Sequence, residues 1–246
     1  MLSEQILDAK LKDWPLSWIS REKLTQIVAT LVKEAQPNDV GLSHKNIVDP
    51  FSALFDMSVN HMDYDQWVKA EIRRQQQKTL QNAIGKFHQC VLGSVTGWED
   101  KGVGQIVDLI CPSRRIFAEV KNKFNTVKAS DKIGLYNTMS LWRGAVPEHK
   151  KYTGYYVQII AKEKFDRPFV PSDNKTGSKA STNEHIREID GASFYELVTG
   201  SKTALEDLYA ILPFVLQKVC PSFDAATVVA HANFLDFFAR AFDHNK

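Results

Sequence analysis

Cysteine is scarce in this chain: Cys90, Cys111 and Cys220 are the only three in 246 residues. They lie far apart, form no C-x-x-C pair and, being odd in number, cannot all pair within one chain. A disulfide framework is thereby excluded, and a reduced, cytoplasmic setting is the simplest expectation. Long apolar runs are missing as well. The longest, Tyr209 to Leu216, spans eight residues and contains Pro213, far short of the ~20 needed to cross a bilayer. Glu4 and Asp8 precede any apolar stretch, so the N-terminus does not read as a secretory signal. There is no excess of one charge: 31 Lys+Arg face 29 Asp+Glu, for a net of +2. Local basic patches, not the total, must then decide whether nucleic acid is a partner. The histidines are scattered, and none pairs with a cysteine at zinc spacing. Ser94 and Ser113 have no partner set for a nucleophilic triad. Gly102-Val103-Gly104 is too short, and follows no strand, for a nucleotide fingerprint. No internal repeat is visible.

What is present is ordinary globular material. Apolar residues make up 43% and charged residues 24%, enough for one large domain or a core with a helical subdomain. Ser20 can cap a helix carrying Leu24, Ile27, Val28, Leu31 and Val32 at steps of three and four, before a break at Pro37. A second helix is predicted over Pro50 to Val59, with Pro50 in its first turn. A polar segment runs from Asp65 to Lys78. Its Arg73, Arg74 and Lys78 suit phosphates and an ordinary solvated face equally well. From Thr79 to Leu92 the positions Leu80, Ile84, Phe87 and Val91 predict a helix. Gly85 costs about 1 kcal/mol there relative to Ala and suggests close packing against a sheet. His88 on this helix reads as a hydrogen-bonded structural residue.

The period then changes. Gly97, Gly102 and Gly104 read as a loop. Gln105–Cys111 and Ile116–Lys121 read as strands joined by a turn at Pro112-Ser113-Arg114-Arg115. A crossover helix around Gly134–Leu141 and a strand over Tyr152–Lys162 follow. Asp166 to His185 is a polar loop longer than usual. Two apolar stripes close the chain: Leu205, Leu208, Ile211 and Leu212, ended or kinked at Pro213, and Val228, His231, Leu235, Phe238 and Phe242. The expected organisation is a helical region over 1–78, a core over 79–202 and C-terminal helices over 203–246 packed on it. The class is α/β.

Chemistry concentrates in the predicted hairpin. Glu119 and Lys121 are two apart on one strand and share a face. Asp108 stands between apolar Val107 and Leu109, an odd place for a solvated charge. If the hairpin turns about Ser113-Arg114, opposed residues have numbers summing to 227, which places Asp108 opposite Glu119 on the same face. A slip of one residue destroys that alignment. Two facing carboxylates repel unless a cation intervenes. Lys121 supplies part of the compensation, and a hard divalent ion such as Mg²⁺ supplies more. That arrangement suits phosphodiester hydrolysis, although a surface hairpin with an ordinary Asp, Glu and Lys has the same spacing. Directly after it, residues 121–132 carry four lysines among Asn, Thr and Ser. Such residues neutralise phosphates and reach base edges, and Asn122, Lys123, Asn125, Lys128 and Lys132 are the candidate DNA contacts.

Asp108, Glu119 and Lys121 resemble the PD-(D/E)XK nuclease superfamily, with Val107 in place of the proline of its first half-motif. More of the chain resembles type II restriction endonucleases of the group that cuts GGNCC-type sites. The matching stretches begin at Asn46-Ile47-Val48-Asp49-Pro50-Phe51, Gln77 to Gly85 and Gly97-Trp98-Glu99. They continue through Ala118 to Thr126, Ile189 to Tyr195 and Leu197-Val198-Thr199-Gly200. The resemblance implies a central mixed sheet flanked by helices, with helical additions at both ends. It also implies a homodimer that uses Mg²⁺, with Mn²⁺ able to substitute, to cut both strands of a short palindromic site and leave 5'-phosphate ends. In this reading Asp108 and Glu119 ligate the metal, Lys121 assists the water, and a cognate DNA methyltransferase works in the same cell without a stable complex. One departure stands out. Many members add an acid from the helix before the hairpin, whereas Gln89 sits at that place here and Glu71 lies further upstream. The loop over 166–185, with Asn174, Lys175, Lys179, Asn183 and His185, is expected to order on DNA. A structure-selective repair or junction nuclease with the same core, and a non-catalytic DNA-binding protein, are the alternatives.

Overall fold

The computed structural model describes residues 13–35, 47–102, 106–173 and 177–242. Asn174 and Lys175, and the N-terminal end of the first predicted strand at Gln105, lie outside these segments. The chain divides into two compact units, one formed by residues 1–29 and 85–246 and the other by residues 30–84.

Helix α1 (Arg21–Ala35) starts where Ser20 Oγ accepts a hydrogen bond from Lys23 N at 3.1 Å, and Leu24 and Val28 are buried as its period requires. Helix α2 (Pro50–Val59) is capped by Asp49, whose side chain accepts from Phe51 N and Ser52 N. Helix α3 (Tyr64–Gly93) is a single 30-residue helix. The polar segment 65–78 and the apolar segment 79–92 are therefore continuous. The polar half lacks the periodic apolar stripe that announces a helix, but it is rich in Gln, Lys, Arg and Glu, which are good helix formers.

Gly85 does not owe its place to packing. A Cβ built there meets nothing within 4 Å, which corrects the expectation of contact with a sheet. Gly85→Ala is therefore expected to raise the free energy of unfolding by about 1 kcal/mol, read from the urea midpoint at unchanged slope.

The larger unit is built on a six-stranded sheet in the order β1-β2-β3-β4-β6-β5. Its strands are β1 (Glu99–Asp100), β2 (Leu109–Cys111), β3 (Ile116–Lys123), β4 (Thr153–Ile160), β5 (Asp166–Pro168) and β6 (Ile186–Asp190). β1, β2 and β3 pair antiparallel; β3, β4 and β6 run parallel; β5 pairs antiparallel with β6. Parallel strands need a crossover, and helix α4 (Ala129–Ala145) supplies the one between β3 and β4. The polar loop predicted over 166–185 is partly strand: β5 occupies its start, and Ser172 bridges Lys179. β6 escapes the hydrophobic pattern because its middle is Arg187-Glu188. Both charges are paired on the neighbouring strand, Arg187 with Asp166 and Glu188 with Arg167.

Each face of the sheet is set by alternation. On one face Phe117 lies in row with Gly154 and Ile186. A Cβ at Gly154 would fall 2.2 Å from the Phe117 ring, so glycine is what lets that ring lie flat across the sheet. Tyr136 and Met139 of α4, with Tyr152, Tyr156 and Phe169, complete this core, and Trp142 packs at a tilt against Phe117 with centroids 4.3 Å apart. On the other face Tyr155 meets Phe194 of helix α5 (Gly191–Thr199), and Trp98 packs on the same ring. α5 begins close against β4: a Cβ at Gly191 would lie 2.2 Å from the carbonyl oxygen of Ile159.

Helix α6 (Ala204–Val219) buries Leu205, Leu208 and Ile211 as predicted, but it does not end at Pro213. Pro213 is itself buried in the helix interior, so packing offsets the hydrogen bond that proline removes. The last apolar stripe is not one helix. Helix α7 (Ala225–Ala230) stops at His231, and helix α8 (Asn233–Phe242) restarts in a new phase. Phe234, stacked on Tyr209, is buried in place of Leu235, which is 60% exposed. Among the described residues no helix is long and apolar enough to cross a membrane.

Candidate active site

The strand register places the candidate residues. Leu109 pairs with Ala118, Ile110 with Phe117 and Cys111 with Ile116, each pair summing to 227 as predicted. Arg115 adopts φ +54° and closes the turn. Asp108 sits one residue beyond the ladder. Its backbone N–H donates to Ala118 O at 3.0 Å, and its Oδ2 accepts from Val120 N at 2.7 Å. These two bonds fix the Asp108 carboxylate against the β3 backbone on either side of Glu119. Lys121 Nζ donates to Glu119 Oε1 at 2.6 Å, with both side chains largely buried. Asp108, Glu119 and Lys121 are thus brought together.

The face that carries them changes character along the strands. Its first row, Phe117–Gly154–Ile186, is apolar. The next is Glu119–Tyr156–Glu188, and the next Lys121–Gln158–Asp190. The site therefore lies at the C-terminal end of the parallel strands, past the edge of the aromatic core.

The electrostatics are those of a site short of positive charge. Burial is the main cause that pushes the Asp108 carboxyl above its ordinary range; the Val120 amide and Lys121 oppose it, and Asp100 adds to it. Glu119 is pushed up by burial and then by the Asp108 charge, against the pull of Lys121. The two carboxyls are close enough to share a hydrogen bond. One ammonium does not balance two buried carboxylates. The donors are all oxygen, which fits a hard ion such as Mg²⁺, and Asp108 and Glu119 are the residues able to hold it. Tyr156 supports the fit. It is fully buried in the same row as Glu119, and its hydroxyl has no hydrogen-bond partner among the described residues, so it can serve a water at the floor of the site.

The candidate DNA contacts divide by face. Lys123 continues the alternation of Glu119 and Lys121, is exposed, and precedes a turn in which its N–H donates to Thr126 Oγ1. Asn125 and Lys128 are exposed beyond it, and Lys132 is half-buried in the first turns of α4. Asn122 alternates to the opposite face, where its Oδ1 is buried without a hydrogen-bond partner among the described residues. The structure does not bring that side chain to the acidic row.

Of the two residues singled out as completing the site, Glu71 is engaged elsewhere. It is buried and accepts from Arg74 at 2.6 and 2.7 Å and from Gln75 at 2.8 Å. Gln89 does reach the hairpin: its Nε2 donates to Asp100 Oδ1 at 2.8 Å and lies 3.5 Å from Asp108 O. Sequence reasoning missed Asp100, because a two-residue strand between glycines reads as loop, and it missed Gln158, whose position opposite Lys121 appears only with the parallel register.

His88 is structural, as predicted. It is half-buried, its Nδ1 lies 2.8 Å from the Tyr195 hydroxyl, and desolvation pushes its pKa down to about 4. An unfolded histidine titrates near 6.5, so on acidification the unfolded chain takes up this proton first. Stability is expected to hold above about pH 6.5 and to fall by about 3 kcal/mol as pH drops through 4. Denaturant midpoints across that range, compared with those of His88→Gln, give the contribution.

A six-stranded mixed sheet flanked by helices, with Asp108, Glu119 and Lys121 together on one hairpin, is a restriction-endonuclease-like fold. Residues 16–221 match the family model described as Eco47II restriction endonuclease, and the chain belongs to that family. It is 42% identical over 212 residues to the type II restriction enzyme Eco47II of Escherichia coli, covering 83% of this chain and 87% of that protein. It is 30% identical over 214 residues to the type II restriction enzyme Sau96I of Staphylococcus aureus, covering 82% and 80%. The chain is accordingly a sequence-specific type II restriction endonuclease, and DNA is its substrate.

Proposed function

We propose that this endonuclease acts as a cytoplasmic homodimer, uses Mg²⁺ with Mn²⁺ as a substitute, and cuts both strands of a short palindromic GGNCC-like site. The observation that carries the reading is the convergence of Asp108, Glu119 and Lys121 at the polar end of one sheet face. A two-fold dimer presents one such site to each strand of a palindrome.

Asp108 and Glu119 would hold the ion. When bound, it neutralises the paired carboxylates, stabilises charge on the phosphoryl group and lowers the pKa of bound water. Lys121 is held against Glu119 by one of its three N–H donors, and the others face the reacting phosphate. There it orients the attacking water and stabilises the charge that develops on the phosphoryl oxygens. Water oxygen bonds to phosphorus and gives up a proton, the bond to the 3' oxygen breaks as that oxygen takes up a proton, and the products are a 3'-hydroxyl and a 5'-phosphate. Lys123, Asn125, Lys128 and Lys132 contact the duplex. A cognate methyltransferase marks the host's own sites without forming a stable complex.

Digestion of a mixed-sequence plasmid with Mg²⁺ tests this directly. Discrete fragments whose ends map to one GGNCC-like sequence are expected. Cuts confined to branched DNA would point to a repair nuclease, and binding without cutting in Mg²⁺ or Mn²⁺ to a non-catalytic protein.

A further inference from the structure

Helix α2 is built the wrong way round for a helix that packs on its own chain. Most of Pro50–Val59 is apolar, yet only Ala53 is buried and Met57 half-buried. The large side chains face outward: Phe51 is 74% exposed, Leu54 63%, Phe55 72% and Val59 73%. At helical spacing these four share one stripe, with Ser58 between them. A helix of this length is marginal without tertiary packing, and here the side that packs carries the small residue. Ile47, just before the helix, is fully exposed as well. At ordinary residue sizes the five residues expose on the order of 800 Å², more than the roughly 300–600 Å² of the largest apolar patch on a typical monomer. Among the described residues nothing covers them.

The chemistry of the stripe selects its occupant. From Ile47 to Val68 the chain has no lysine or arginine, so this face offers nothing to the phosphates of DNA or to an anionic membrane. The two carboxylates of the segment are engaged locally. Asp49 caps the helix at Phe51 N and Ser52 N, and Asp56 accepts from Asn60 Nδ2 at 2.7 Å. Neither falls on the stripe, so two identical copies of it can meet without opposing like charges. The area agrees: on the order of 800 Å² is the share one partner gives to a standard interface of about 1,600 Å². We propose that this stripe is the self-association surface of the chain, with α2 of one copy packed on α2 of a second across a two-fold axis. In a two-fold contact each patch meets its own copy. Phe51 and Phe55 form the centre, where buried aromatics carry most of the energy of such contacts. The inference rests on the homodimer proposed above and names the surface that makes it.

Sedimentation equilibrium of the full-length protein over a range of concentrations tests it without reference to cleavage. The wild type is expected to be a dimer that dissociates on dilution. Phe55→Glu, a change at an exposed position, is expected to weaken self-association at least about thirtyfold, the scale of losing a central aromatic contact, with the circular dichroism of the folded chain retained. Leu141→Glu, at an apolar residue of the larger unit that is also 74% exposed, is expected to leave self-association unchanged. Hydrogen exchange of the wild type reads the same surface without a variant: the α2 amides are expected to exchange more slowly in the dimer than after dilution to monomer. A Phe55→Glu protein that dimerises like the wild type, or an equal loss in Leu141→Glu, would overturn the assignment. So would α2 exchange that stays slow on dilution, which would place a segment of the same chain over the stripe. Failure of the homodimer itself shows differently: a wild type that is monomeric at every concentration, alone and on its target duplex, removes both readings.

Discussion

Lys121→Ala is expected to slow single-turnover DNA cleavage about a thousandfold, the scale of losing a charge aimed at the transition state. Binding of the target duplex, measured in Ca²⁺ without turnover, is expected to stay within about tenfold of the wild type, as for one phosphate contact among several. The asymmetry follows from where the ammonium sits. It is largely buried, 2.6 Å from Glu119, in the row of the two carboxylates proposed to hold the metal rather than among the exposed lysines beyond β3. A wild-type rate in this variant would remove Lys121 from the mechanism. An equal loss of binding and cleavage would make it a DNA-gripping residue only.

Asp108→Asn is expected to abolish cleavage and yet to raise the melting temperature of the metal-free protein near neutral pH. Both carboxyls of the pair bind their protons more tightly in the folded state than in the unfolded chain, chiefly through burial. Their contribution to stability is therefore greatest at acid pH and is lost as pH rises through their folded range. The amide that replaces the carboxylate at position 108 keeps an oxygen to accept from Val120 N. It also gains an N–H able to donate to Glu119, so the repulsion goes and the hydrogen bonding stays. Mg²⁺ is expected to raise the melting temperature of the wild type by mass action and not that of the variant. Thermal scans of both proteins with and without Mg²⁺ at two pH values read all four outcomes. A variant that melts lower without metal and still responds to Mg²⁺ would show that Asp108 is a structural acid.

Much of this site is legible in the amino-acid sequence, and the reason is geometric. A hairpin about Ser113-Arg114 permits one register that keeps Val107, Leu109, Ala118 and Val120 out of water. That register fixes Asp108 beside Glu119. Lys121 follows from the two-residue period of a strand. The elements that escape notice lack such a signal. β6 and β5 alternate charges that pair with each other, so Arg187 and Glu188 read as loop although each is satisfied within the sheet. The first half of α3 shows no apolar period. Pro213 and Gly85 both mislead because local propensity is only one contribution: buried packing keeps α6 running through its proline, while Gly85 has no neighbour to explain it. Gln158 joins the Lys121 row only through the pairing of β3 with β4, strands distant in sequence, and Asn122, inside a matched stretch, is turned away by the same alternation that puts Lys121 on the face of Glu119.

Anomalous scattering from crystals of the wild-type protein soaked in Mn²⁺ places the ion directly. A peak within coordination distance of both the Asp108 and Glu119 carboxylates, and lost in Asp108→Asn, is the expected result. A protein that cuts DNA under the same Mn²⁺ concentration while its peak lies on other residues would contradict the assignment of this hairpin as the catalytic centre.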